Sequence, residues 1–196
     1  MLTVTVMRRL EALSEISKHG KRMNGLVRLL ENPILWQEAY ANIYANKGAI
    51  TPGVDNLTLD GFSEERVTSI MTRLKNGTYR FHPVRRAYVP KQNGKKRPLG
   101  ISSGDDKLVQ EVVRIILERI YEPVFENSSH GFRPHRSPHT ALEQIGKEWT
   151  AVKWLVDMDL RDYFTPIAHD LLMGVLRKKI ADERFLRLIQ AMLTAG

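Results

Sequence analysis

Apolar residues recur three and four apart at Leu10, Leu13 and Ile16, and again at Leu26, Leu29 and Leu30. Residues 7–31 are therefore expected to be helical, with a break at Gly20. Asn32-Pro33 opens a second helix with Trp36, Ala39, Tyr40, Ile43 and Tyr44 on one face, and Asn46-Lys47-Gly48 ends it. Gly48 to Asp55 reads as a loop from its Gly and Pro content. A third helix is predicted from Ser63 to about Lys75, capped by Ser63, with Glu64 and Glu65 in its first turn. After the turn signal Asn76-Gly77 the period changes. Val84 to Val89 and Arg97 to Ile101 read as two strands joined through Pro90 to Lys96, a β-hairpin with a polar, positive tip. The clearest helix runs from Asp105 to Tyr121, where Leu108, Val109, Val112, Val113, Ile116, Leu117 and Ile120 repeat at helical spacing. Ser137-Pro138 starts a helix toward Trp149. Val152 to Leu160 reads as an apolar strand ending in acids, and helices are predicted over 168–179 and 182–195. No internal repeat, low-complexity tract or linker interrupts the pattern.

The chain has 196 residues, and its 42% hydrophobic content suffices for a buried core in an α+β fold. It has no cysteine, which excludes disulfides and thiolate metal sites. No signal-peptide pattern and no run of about 20 apolar residues is present, so a cytoplasmic protein without membrane contact is expected.

Charge adds more. The net charge is +8, and residues 75–104 hold Lys75, Arg80, Arg85, Arg86, Lys91, Lys95, Lys96 and Arg97 without one acid, so this single segment accounts for the whole excess. Such a block is the footprint of a polyphosphate partner. The competing reading is a solvated charged loop. Two acids on the later strand, Asp157 and Asp159, would share one face at a period of two. Carboxylates placed this way hold paired Mg²⁺ ions in phosphoryl-transfer enzymes, or form an ion pair with Lys153 or Arg161. His130, His135 and His139 lie close together, but their loose spacing and the lack of an accompanying carboxylate argue against zinc.

Four blocks occur in a defined order: Val84-Arg-Arg-Ala-Tyr-Val-Pro-Lys91, Asn93-Gly-Lys-Lys-Arg-Pro-Leu-Gly-Ile101, His130-Gly-Phe-Arg-Pro-His-Arg-Ser137, and Asp159-Leu-Arg-Asp-Tyr-Phe164 followed by Ile167 and His169. Together they resemble the bacterial group II intron-encoded reverse transcriptase and maturase family, from about Arg8 to Gly196. The resemblance implies polymerase fingers, helix-rich with a basic hairpin, joined to an incomplete palm: residues 1–62 a helical N-terminal extension, 63–150 the fingers, 151–196 the start of the palm. It implies RNA-directed DNA synthesis with Mg²⁺, with intron RNA, an RNA/DNA template-primer and deoxynucleoside triphosphates as partners.

Residue by residue, the resemblance makes Asp159 the first metal-binding aspartate and the Leu160 carbonyl a second ligand. Phe164 matches the steric gate, and the backbone near Asp162 and Tyr163 would hold the triphosphate. Lys91 and Arg97 match the fingers residues that close on it, whereas Lys95 and Lys96 are equally readable as solvated tip residues. Arg85 and Arg86 belong to the same nucleic-acid surface. Arg133 and Arg136 match a template-strand segment, the alternative being a turn whose arginines pair with nearby acids. Arg8, Arg9, Lys18, Lys21 and Arg22 would contact phosphate, or form a solvated helix face. The chain departs from the family at Thr165 and Ala168, where acids are usual, with Pro166 between them. The family's second catalytic motif, two adjacent aspartates on a hairpin, has no counterpart after Asp159. The sole Asp-Asp pair, Asp105-Asp106, reads as a helix N-cap. The thumb and maturase domain have no counterpart either. A truncated chain, natural fragment or proteolytic product, inactive alone, is expected. A non-catalytic RNA-binding splicing cofactor is the rival reading, and a protein–protein scaffold a more distant one.

Overall fold

The computed structural model describes residues 4–46, 48–90, 94–160 and 167–196. Its centre is the helix Gly104–Tyr121. Leu108, Val109, Val112, Val113, Ile116 and Ile120 are all buried, so this helix is enclosed on several sides. In chain order the helices are α1 (Val4–Lys18), α2 (Pro33–Tyr44), α3 (Glu64–Lys75), α4 (Gly104–Tyr121), α5 (Pro138–Glu148), α6 (His169–Lys179) and α7 (Glu183–Ala195). Strands β1 (Arg85–Pro90) and β2 (Lys96–Ile101) form a two-stranded antiparallel sheet between α3 and α4. The described part is thus helix-rich, with one hairpin.

Local sequence explains the element ends. The side chains of Asn32, Ser63, Ser137 and Asp182 accept backbone N–H groups at the starts of α2, α3, α5 and α7. Pro33 and Pro138 occupy first-turn positions, where the missing N–H costs nothing. The expected helix over 7–31 resolves into α1 and a 3₁₀ segment, Leu26–Glu31. Gly20 and Gly25 both adopt left-handed φ of 70° between them, a conformation that stops an α-helix.

α1 and α2 pack on α4, and α6 and α7 pack on each other. The Ser17 hydroxyl donates to the Ile120 carbonyl at 2.5 Å, and the Trp36 indole donates to the Leu30 carbonyl at 2.8 Å, so these buried polar groups are satisfied. The segments that follow α1 and α6 meet through backbone bonds: Met23 N–H donates to Lys179 O at 2.8 Å, and Ala181 N–H donates to Met23 O at 2.7 Å. The core runs as one cluster from Val6 in α1 to Ile189 in α7. No described helix is long and apolar enough to cross a membrane.

Two expectations are corrected. Residues 152–160 form no strand. They are exposed throughout, including Trp154, Leu155, Val156 and Met158, and among the described residues no strand pairs with them. A strand exists only with a ladder partner, so alternation in sequence is not sufficient. The N-cap of α4 is Ser103 and not the Asp105-Asp106 pair, since the Ser103 hydroxyl accepts from Asp106 N–H at 3.4 Å. Both aspartates lie within the first turn and are buried.

Candidate nucleic-acid interface

The basic block is a hairpin with a rigid root. Its register pairs Arg85 with Ile101, Ala87 with Leu99 and Val89 with Arg97 on one face. The other face pairs Arg86 with Gly100, Tyr88 with Pro98 and Pro90 with Lys96. Arg97 and Lys96 therefore point to opposite faces, which places cations on both. Tyr88, Val89 and Leu99 are exposed among them. An apolar and aromatic ribbon edged by cations suits single-stranded nucleic acid, whose bases stack while its phosphates seek charge. Gly94 closes the tip region at φ 76°, a left-handed value that favours glycine.

Buried carboxylates at the N-terminus of α4 hold the root. Asp105 receives Arg66 Nε at 2.7 Å and Arg73 Nη2 at 3.0 Å. Arg66 also donates to the carbonyls of Thr58 and Asp60. Asp106, only 1% exposed, accepts the Tyr79 hydroxyl at 2.7 Å, the Ser103 hydroxyl at 2.8 Å and the His82 backbone N–H at 3.0 Å. Burial and the adjacent Asp106 carboxylate push the Tyr79 phenol far above its usual range, so it remains a donor. This cluster ties α3, the segment leading into β1, and α4 together. The sequence reading missed it, although the signal was available: Asp105 and Asp106 fall on the same helical stripe as Val109, Val112 and Val113.

Arg85 joins the same root. Its Nε and Nη2 donate to the Pro52 carbonyl at 3.1 and 3.0 Å. Lys107 Nζ donates to the carbonyls of Thr51 and Gly48 at 2.6 and 2.8 Å, and burial lowers its pKa. Gly53 packs so closely on α4 that a Cβ would lie 2.6 Å from Ser103 Cα. Arg85 thus fastens the 48–55 loop, while Arg86 and Arg97 are exposed.

In the 130–137 segment, Phe132 and His135 take left-handed φ of 57° and 58°. Arg133 accounts for this tight path. It forks onto Glu122 with its shortest bond at 2.8 Å, donates to the Glu126 and Ser129 carbonyls, and lies over the Phe125 ring. The Glu122 partner raises its pKa. Arg136 donates to the Asn127 carbonyl at 2.8 Å. Both arginines are engaged within the chain, but only Arg133 pairs with an acid; Arg136 bonds a backbone carbonyl. His130 contacts Thr140 and Gln144 through its two ring nitrogens.

Arg8, Arg9, Lys18 and Lys21 are exposed on or just after α1. Lys18 pairs with Glu15, and Arg22 donates to the Ile180 carbonyl. Asp159 and Leu160 are exposed, and Asp159 has no ion-pair partner among the described residues. Lys91, Asp162, Tyr163, Phe164 and Thr165 lie outside the described residues. Among the described residues no cluster of three His, Asp or Glu could hold a metal. Mg²⁺ needs several oxygen ligands in near-octahedral array, so Asp159 and the Leu160 carbonyl would by themselves make only part of such a site.

Comparison with known proteins agrees with the four blocks. Residues 89–195 match the family described as reverse transcriptase (RNA-dependent DNA polymerase). The chain is 49% identical over 190 residues to the group II intron-encoded protein LtrA of Lactococcus lactis subsp. cremoris, covering 94% of this chain and 32% of the relative. It is 41% identical over 194 residues to the uncharacterized 91 kDa protein in cob intron of Schizosaccharomyces pombe, covering 95% and 24%. Nuclear intron maturase 1, mitochondrial, of Arabidopsis thaliana is 35% identical over 88 residues, covering 45% and 12%. The chain spans about a third or less of these relatives. On the match over 89–195 and its similarity to group II intron proteins, the chain belongs to the reverse transcriptase (RNA-dependent DNA polymerase) family.

Proposed function

We propose that this chain is the RNA- and nucleotide-gripping part of a group II intron reverse transcriptase: N-terminal extension (1–62), fingers (63–150) and opening palm segment (151–196). The hairpin β1–β2 lies along the template and closes on a deoxynucleoside triphosphate. Lys91 and Arg97 neutralise phosphate charge as it develops during transfer. Asp159 and the Leu160 carbonyl provide the first part of the Mg²⁺ site, and Phe164 and the backbone near Asp162 and Tyr163 shape the nucleotide pocket. When bound, Mg²⁺ would supply charge neutralisation at the phosphates. The chain alone is expected not to polymerise, since its sequence carries no adjacent-aspartate pair after Asp159.

One observation supports this most strongly: the exposed basic hairpin is fixed at its root by buried carboxylates, while Asp159 is exposed and has no ion-pair partner among the described residues. A cationic arm anchored at its root, with an exposed carboxylate elsewhere in the chain, suits metal-assisted phosphate chemistry better than a solvated loop does.

The test is RNA binding by the 196-residue chain across salt. Each lost phosphate contact should flatten the dependence of log affinity on log salt by about 0.7 for single strands. Replacing both Arg86 and Arg97 by Ala should flatten it by roughly twice that. Absence of RNA affinity, with salt-insensitive binding of a protein partner, would instead favour a protein scaffold. Similarity to a protein named as a maturase supports a second reading, an RNA-binding splicing cofactor. The two separate on Mg²⁺-dependent capture of a deoxynucleoside triphosphate by the full-length protein. Loss of that capture in Asp159→Ala fits only the polymerase.

A further inference from the structure

A second cationic cleft, with no lining residue from the hairpin strands, forms where the 3₁₀ segment, the end of α3, residues 77–81 and α7 meet. Its volume is about 270 Å³. Leu30, Leu74 and Leu188 contribute apolar lining, beside the half-buried Phe81 ring. Three guanidiniums, from Arg80, Arg184 and Arg187, line it, and none of its lining residues is acidic.

The arginines are held but not used up. Arg80 donates through Nη1 alone, to the Gly77 and Tyr79 carbonyls at 2.9 Å. Arg184 donates through Nη2 to the Lys75 carbonyl at 2.9 Å. Those bonds orient the two side chains, and among the described residues their other N–H groups meet no acceptor. Arg187 is exposed on α7. Oriented guanidinium forks match the oxygens of a phosphodiester, and an apolar lining suits the ribose or base beside it. An acidic peptide would use the cations but gain little from an aromatic and aliphatic lining sized for one nucleoside.

We propose that this cleft is a second RNA-binding site, which seats one nucleotide of a single-stranded segment with its phosphate between Arg184 and Arg187. The inference rests on the RNA-binding reading above. It adds a contact surface that the hairpin does not supply.

The experiment is fluorescence anisotropy of the 196-residue chain with a labelled single-stranded RNA of mixed sequence, between about 50 and 200 mM salt. Releasing counterions at one phosphate adds about 0.7 log unit of affinity near 0.1 M salt, so Arg187→Ala should weaken binding roughly 5-fold and flatten the salt slope by about 0.7. Arg187→Lys retains the charge and should restore the slope, which separates a phosphate contact from a loss of folding. Ultraviolet cross-linking should attach RNA to the peptide containing Phe81. An unchanged salt slope in Arg187→Ala, with the Arg86/Arg97 double variant still weakened, overturns the cleft and leaves the hairpin reading intact. Unchanged slopes in both sets overturn both. Weakening by Arg187→Ala that Arg187→Lys does not rescue also overturns the cleft.

Discussion

Replacing Asp106 by Ala tests whether the Asp-Asp pair is a helix-start feature or the keystone of the hairpin root. A carboxylate whose only role is to face the dipole in a helix's first turn contributes about 0.3–1 kcal/mol. The structure demands more. Asp106 is the acceptor for the Tyr79 hydroxyl, the Ser103 hydroxyl and the His82 N–H. In the Ala variant Ser103 retains a fallback, His82 Nδ1 at 3.4 Å, but the buried Tyr79 hydroxyl and the His82 N–H lose their acceptor. An orphaned buried donor costs about 1–3 kcal/mol; the buried Tyr79 hydroxyl takes the upper end and the part-buried His82 N–H the lower, giving roughly 4 kcal/mol. For a chain of this length each kcal/mol moves Tm by about 2–4 °C, so a fall of roughly 8–16 °C is expected by circular dichroism at 222 nm. Tyr79→Phe alone should cost about 1–2 kcal/mol, and a double-mutant cycle should show coupling of similar size. A melting temperature for Asp106→Ala within about 4 °C of the parent would return the residue to the dipole role and refute the keystone argument.

The same phenol sets an alkaline limit. Its folded pKa is raised well above the ordinary 10.0, so its contribution is complete below about pH 10. Above that pH the unfolded chain loses the proton while the folded chain keeps it. Stability should therefore decline by about 1.4 kcal/mol per pH unit from this group, and Tyr79→Phe should remove that share of the slope in urea titrations. Gly104→Ala would place a Cβ 2.3 Å from the Thr58 carbonyl oxygen, and should destabilise by about 1–3 kcal/mol despite alanine's better helix propensity. Gly146→Ala and Gly174→Ala, in open space on α5 and α6, should stabilise by up to about 1 kcal/mol in the same thermal melts. Arg85→Ala should speed limited proteolysis of the 48–55 loop. Arg86→Ala should leave the digestion pattern unchanged and lower the salt slope of RNA binding by about 0.7.

Much of the architecture was legible because its signals are local. Capping side chains at Asn32, Ser63, Ser137 and Asp182, the break at Gly20 and the change of period at Val84 each act within a few residues, and elements form where they point. What was not legible depends on partners distant in sequence. Nothing near Arg85 signals that its guanidinium will meet the Pro52 carbonyl, 33 positions away. Arg133 and Arg136 carry the same charge as the hairpin arginines, but their turn folds back on Glu122 and local carbonyls, an outcome of backbone path and not of composition. The strand expected at 152–160 fails for the same reason, since alternation is intrinsic to a segment and pairing is not.

The four aspartates at 105, 106, 157 and 159 show how one side chain serves opposite ends. At the root of the hairpin, guanidiniums, hydroxyls and an N–H consume the carboxylate oxygens, and burial makes those bonds strong. Such a carboxylate has nothing left for a cation, and freeing it would cost the arm its anchor. Asp159 is in the reverse condition: exposed and not held by any ion pair among the described residues. Asp159→Asn should accordingly leave the melting temperature within about 2 °C of the parent, since surface substitutions away from buried networks stay within about 0.5 kcal/mol. A destabilisation as large as that of Asp106→Ala would mean that Asp159 is a structural group after all, and the assignment of metal chemistry to it would fall.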